Sequence, residues 1–143
     1  MARYTTTIAS PWTAEKAFDY MADLRNFQDW DPGVKSSKIV TGTEPALGTE
    51  YKVTVALTDL TYVTKEYAPP MRTVAEAKSA LLRSYDIIEV TPTNDGCTVL
   101  YDATLTLNGP LGLIDPLLEL AFNRIGDKAA NGMARALEGK ISS

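Results

Sequence analysis

Pro116-Leu117-Leu118-Glu119-Leu120-Ala121-Phe122 opens, and Met133-Ala134-Arg135-Ala136-Leu137 closes, the stretch that decides the architecture. Leu118, Ala121, Phe122, Ile125, Ala129, Met133 and Ala136 recur at helical spacing on one face. Glu119, Asn123, Asp127, Lys128, Asn131, Arg135 and Glu138 fall on the other. Asp115-Pro116 supplies a cap and a proline at the first helical position. A helix from Pro116 to Glu138 is about 35 Å long at 1.5 Å per residue, enough to cross a sheet. Its inward face is bulky in the first half and small in the second, where Gly126, Ala129, Ala130 and Gly132 sit.

Upstream of that helix the period is two. Tyr51-Lys52-Val53-Thr54-Val55-Ala56-Leu57 alternates cleanly, with Tyr51, Val53, Val55 and Leu57 on one face. Strands follow at about Thr61 to Ala68, Met71 to Lys78, Leu81 to Thr93 and Cys97 to Asn108, and Lys35 to Thr43 reads as a polar edge strand. Pro69-Pro70 breaks the series between Ala68 and Met71, Gly109-Pro110-Leu111-Gly112 ends the sheet, and the short connections predict an antiparallel meander. Nearer the start, Tyr4 to Ala9 is a first strand. A helix capped by Ser10 or Thr13 then buries Ala14, Ala17, Phe18 and Met21, and a second short helix, Leu24 to Trp30, stops at Asp31-Pro32-Gly33. A lone long helix laid across one curved antiparallel sheet is an architecture built around an interior.

Turn lengths assign the faces, because side chains alternate with period two. An even-length loop at Asn94-Asp95-Gly96 puts Leu82, Ser84, Asp86, Ile88 and Val90 inward with Val99, Tyr101, Ala103, Leu105 and Leu107. The same reasoning at Pro69-Pro70 puts Tyr62, Thr64 and Glu66 inward with Met71, Thr73, Ala75 and Ala77, and leaves Lys65, Arg72, Glu76 and Lys78 outside. Two features of this inner face are unusual for a solid core. Ala75, Ala77 and Ala103 are small and face the small half of the long helix. Glu66 and Asp86 are carboxylates where an unpartnered charge is costly. Each has a plainer account, in which it sits at a strand end or bonds to a tyrosine. The functional account is a pocket whose few polar groups orient a mostly apolar ligand. Its candidate lining is Trp30, Tyr51, Tyr62, Glu66, Asp86, Tyr101 and Phe122, although aromatic residues in such places also serve simply as core.

Composition narrows the chemistry. The 143 residues include no histidine, which removes Ser-His-Asp and Cys-His catalysis and the usual zinc sites. Cys97 is the single cysteine, has no activating cation nearby in sequence, and is expected to be inert. Asp29 and Asp31 are too few to define a metal site, and no metal or cofactor is expected. A net charge of -4 and a pI near 4.8 argue against a nucleic-acid partner. No apolar run is long enough to span a bilayer and the first residues lack a secretory signal, so the default is a cytoplasmic single domain without integral membrane association. A homodimer is left open.

The order of elements resembles the START-like, helix-grip (SRPBCC) superfamily, and within it the polyketide cyclase/dehydrase and lipid-transport group. Ile8-Ala9-Ser10-Pro11, Ala17-Phe18-Asp19-Tyr20-Met21-Ala22-Asp23, Asn26-Phe27-Gln28-Asp29-Trp30-Asp31-Pro32, Leu47-Gly48-Thr49, Asp95-Gly96-Cys97-Thr98-Val99-Leu100-Tyr101 and the Asp115-Pro116 helix carry the resemblance over nearly the whole chain. It implies an α+β helix-grip fold: a seven-stranded curved antiparallel sheet wrapped around a long C-terminal helix, with two short helices between the first two strands. These motifs are framework and mark no catalytic residue. The function expected first is binding or transport of a hydrophobic, lipid- or polyketide-like molecule between the C-terminal helix and the sheet. A cyclase or dehydratase using carboxylate and tyrosine groups is the alternative, and an interaction module is the third.

Overall fold

The computed structural model describes residues 1–56, 58–109 and 115–142, with side chains in the last span from Leu117 onward. The expected inward Leu57, the turn through Gly112 and the cap by Asp115 lie outside the described residues. Strand β1 (Ala2–Ser10) is followed by α1 (Ala14–Ala22), a 3-10 turn (Leu24–Asn26) and α2 (Phe27–Trp30). Six strands come next: β2 (Val34–Thr41), β3 (Glu50–Val55), β4 (Asp59–Ala68), β5 (Arg72–Lys78), β6 (Leu82–Thr93) and β7 (Gly96–Leu107). The helix α3 (Asp115–Ala136) and a two-residue strand β8 (Lys140–Ile141) complete the order. The strands form one antiparallel sheet in the order β2-β3-β4-β5-β6-β7-β1-β8. The first strand therefore lies beside the seventh, and β8 adds an eighth at its edge.

Local chemistry sets the boundaries. The Thr13 hydroxyl, not that of Ser10, caps α1 by accepting from the Lys16 amide at 3.2 Å. The Asp23 carboxylate does the same for the 3-10 turn through the Arg25 amide at 3.0 Å. The β6–β7 hairpin turns through Asn94-Asp95 alone, since Thr93 pairs with Gly96. That two-residue loop fixes the parity expected from the sequence, with Val90 opposite Val99 and Asp86 opposite Ala103. Gly96 cannot be replaced without strain, because a β-carbon there would lie 2.1 Å from the Ser10 carbonyl oxygen.

The β4–β5 hairpin departs from the expected register. Thr64 pairs with Ala75, but the next paired residue is Glu66, opposite Val74, so Lys65 is an extra residue in a β-bulge. The bulge reverses parity for the rest of the strand. Tyr67, opposite Thr73, takes the inner side, and Glu66 takes the outer side, where it pairs with Arg72 at 2.8 Å. Met71, expected inside, is 64% exposed at the hairpin tip. Both assignments to the interior are thereby corrected. Glu76 lies on the outer face as expected, yet it is buried beneath ion pairs to Arg83 and Lys78.

The second half of α3 packs on β1 and α2, burying Ala129, Ala130, Met133 and Leu137. Its small residues serve close approach. A β-carbon at Gly132 would lie 1.9 Å from the Trp30 carbonyl oxygen, and one at Gly126 would lie 2.3 Å from the Tyr4 ring. The helix backbone thus rests directly on α2 and on the Tyr4 side chain. The first half differs: Leu117, Leu120, Ala121 and Ile125 are exposed, and Phe122 is half-buried. The apolar stripe read from periodicity is buried only where β1 and α2 lie beneath it.

Candidate functional site

Asp86 is at the centre of the concave face. Alternation along β6 sends Ser84, Asp86 and Ile88 inward together, and Asp86 sits between Ala75 on β5 and Ala103 on β7. Two methyl-sized neighbours leave the carboxylate uncovered by its own sheet. The cover comes from the short helices: Phe27 and Trp30 of α2 stack with ring centroids 4.7 Å apart, and Trp30 meets the Tyr101 ring edge-on at 5.3 Å. Phe27 also packs edge-on against Tyr62 at 5.9 Å. Asp86 is thereby buried beneath an aromatic roof.

Three hydroxyls reach it in a directional chain. Tyr101 donates to one carboxylate oxygen at 2.9 Å and Ser84 donates to the other at 3.1 Å. Tyr62 donates to Ser84 at 3.2 Å. Between this cluster and the roof is a small cavity lined by Ala22, Phe27, Trp30, Ala75, Asp86 and Tyr101 among others. Its volume is about 10 Å³, at the margin for one ordered water. Among the described residues, none of its lining comes from α3. The enclosed space is therefore under α1 and α2, displaced from the position between α3 and the sheet that the sequence suggested.

A family profile described as polyketide cyclase / dehydrase and lipid transport matches residues 1–138. The chain belongs to this family. Solved structures agree on the fold. A protein from Thermus thermophilus is 16% identical with a TM-score of 0.72, each chain covered to 96%. A START superfamily protein from Mycobacterium smegmatis is 14% identical with a TM-score of 0.71, again with 96% of each chain covered. A hypothetical protein from Helicobacter pylori is 10% identical with a TM-score of 0.74, over 94% of this chain and 87% of that one. No curated protein matches the sequence. At these identities the likeness is one of architecture, a long helix gripped by an antiparallel sheet.

In this member of the family the interior is acidic where the cavity lies. Burial pushes the Asp86 carboxyl up to about 7, against the opposing pull of the Tyr101 and Ser84 hydrogen bonds, and the nearby charge of Asp31 raises it further. Asp31 itself, at the end of α2, is raised by burial although the Gly33 amide donates to it at 2.8 Å. Burial raises the Tyr62 and Tyr101 hydroxyls well above the ordinary phenol, with the Asp86 charge the next cause for each. The cluster can hold or release one proton near neutrality, and a carboxylate with two of its roughly four acceptor positions filled can still accept from a guest.

Of the seven side chains picked from sequence, Trp30, Asp86 and Tyr101 line the cavity and Tyr62 joins them through Ser84. Tyr51 is fully buried on β3 apart from the cavity; burial, then the Asp23 charge, pushes its hydroxyl up to about 12. Phe122 packs against the edge of the core and does not line the cavity. Glu66 is on the outside. Sequence reasoning undervalued Ser84, Phe27 and Asp31. The signal for Ser84 was its spacing of two residues from Asp86, which places both on one face of a strand. Among the described residues no cluster of metal-ligating side chains forms, and no helix is long and apolar enough to cross a membrane.

Proposed function

We propose that this protein binds a mostly apolar small molecule against the concave face of the sheet, with the ligand's polar group at Asp86 and Tyr101. The observation that carries this reading is a buried carboxylate with spare acceptor capacity opening onto a cavity whose walls are otherwise mostly apolar, with Thr64, Thr73 and Tyr101 the other polar residues. Unfilled, that arrangement costs stability, since a buried charge without full compensation is unfavourable. A guest that completes its hydrogen bonding offsets the cost. Anything larger than water needs the interior to widen. The first half of α3, whose Leu117, Leu120 and Ile125 are exposed, has the least packing to lose.

Native mass spectrometry of the purified protein, followed by organic extraction, tests the proposal. The expected result is a co-purified small molecule or, after extraction, saturable one-to-one binding of the neutral dye Nile red that weakens when Ala103→Trp fills the space beside Asp86. Extracted protein that binds no apolar probe refutes it.

A second reading, a cyclase or dehydratase, is favoured by one observation: the Asp86 carboxyl at about 7 is matched to proton transfer near neutral pH. In that case Asp86 moves the proton and Tyr101 polarises a substrate oxygen. Asp86→Asn then abolishes turnover of an extracted polyketide-like compound while leaving its binding within about threefold, whereas a carrier shows no turnover in either form.

A further inference from the structure

Building on the binding proposal above, we infer that the polar group this cavity receives is the protonated amine of an otherwise apolar ligand. The charges of the interior run one way. The chain has 14 lysines and arginines and no histidine, and every one of the 14 is exposed or half-exposed on the outer face, the helix surfaces or the loops. Around the cavity the ionisable groups are Asp86 and Tyr101, with Tyr62 joined through Ser84 and Asp31 close enough to act on Asp86, and all are neutral or negative at physiological pH. A fatty acid or phosphate headgroup seated there meets a like charge with no cation to offset it. A neutral hydroxyl or carbonyl is tolerated, and leaves the carboxylate uncompensated.

An ammonium group answers each feature of the site. Its N–H donors fill the acceptor positions that Tyr101 and Ser84 leave free on Asp86. Its positive charge pairs with Asp86, where the charge of Asp31 adds to the negative field. The rings of Trp30, Phe27 and Tyr101 supply π-faces and edges around the same space, and aromatic faces attract a desolvated cation. The cavity of about 10 Å³ is also of the right order, because an ammonium head is close to a water molecule in size.

The test is a matched-tail series, decylammonium, 1-decanol and decanoate, titrated calorimetrically below their micellar concentrations into ligand-free protein at pH 8. Decylammonium is expected to bind at least tenfold more tightly than decanol, with decanoate weakest. Asp86→Asn is expected to bring the amine within about threefold of the alcohol. In the wild-type protein the amine-to-alcohol affinity ratio should rise about tenfold between pH 5.5 and pH 8. The groups facing Asp86 are Ser84 from its own strand, Tyr62 from β4, Tyr101 from β7 and Asp31 after α2, and of these only Asp31 is a second carboxyl, itself raised by burial. Decanol or decanoate binding as tightly as the amine overturns the inference and leaves the binding proposal standing. So does an amine preference that survives Asp86→Asn, or a ratio flat with pH. Failure of all three compounds to bind overturns both.

Discussion

Asp86→Asn exchanges an acid whose pKa is pushed to about 7 for an amide of the same shape that never ionises. The displacement from the ordinary value of 3.8 is about three pH units, which at 1.36 kcal/mol per unit sets a ceiling of about 4 kcal/mol. Its sign follows from proton counting. With the folded-state value raised, the native protein binds more protons than the unfolded chain between about pH 4 and pH 7. Asp86 therefore contributes its full share of stability below about pH 4, and that share is lost as the pH rises through about 7. The amide carries no such dependence. It does place an NH2 where a carboxylate oxygen accepted from Ser84 or Tyr101, and the hydroxyl must turn to accept instead, at a pH-independent cost of about 1 kcal/mol. The variant should thus be about 1 kcal/mol less stable than wild type at pH 4 and about 2–3 kcal/mol more stable at pH 8. Urea unfolding at half-unit pH steps, with m held to a common value, reads the difference directly. Stability curves that run parallel across that range, with no crossing, would refute the assignment of a buried, neutral-pH acid to Asp86.

Three further substitutions probe the structure around it. Gly132→Ala forces a β-carbon against the Trp30 carbonyl, which is backbone and cannot swing aside, so overpacking of about 3 kcal/mol outweighs a helix-propensity gain of about 1 kcal/mol. The net loss of about 2 kcal/mol should lower Tm by roughly 4–8 °C in a calorimetric scan, and a neutral or stabilised variant shows that α2 does not sit on α3 as described. Tyr101→Phe removes the donor that holds the Asp86 charge, costing about 1.5–3 kcal/mol at pH 8 and less at pH 5, with the Asp86 carbon resonance titrating at higher pH in NMR. Glu66→Gln breaks only an exposed pair with Arg72, so a change above about 1 kcal/mol in urea unfolding contradicts its outward placement.

Where a turn states its own length, the sequence carries the register. Asn94-Asp95-Gly96 marks a short hairpin turn, and an even-length loop, favoured by the more polar opposite face, places Ser84, Asp86 and Tyr101 on one face, as the two-residue loop does in the fold. The β4–β5 hairpin offers no comparable signal. Its turn is visible in Pro69-Pro70, but the extra residue at Lys65 lies within an ordinary alternation of polar and aromatic residues, and nothing in residue type distinguishes a bulge there from a regular ladder. That one residue is why the alternation misplaces Glu66, while Met71 is exposed because it lies at the hairpin tip before β5 begins. The long helix shows a different limit. Periodicity finds an apolar face and cannot say what lies opposite it, so Ala121 and Ile125 read as core although they are exposed. In the same way Gly126 and Gly132 read as room for a ligand, while in the fold they bring the backbone onto Tyr4 and Trp30. Small residues signify proximity or emptiness, and only the partner decides which.

The bulge at Lys65 also bears on how the length of this chain can vary. Thr64 and Ala75 on one side, and Glu66 and Val74 on the other, would be consecutive pairs of a regular ladder if Lys65 were absent. Deleting that single residue leaves Tyr62 and Thr64 facing in and Glu66 facing out, and straightens only the local bend. Removing any residue of β5 or β6 instead turns half a strand inside out and carries charges into the interior. Among its long strands, β4 holds an address where a lost codon is silent for the cavity.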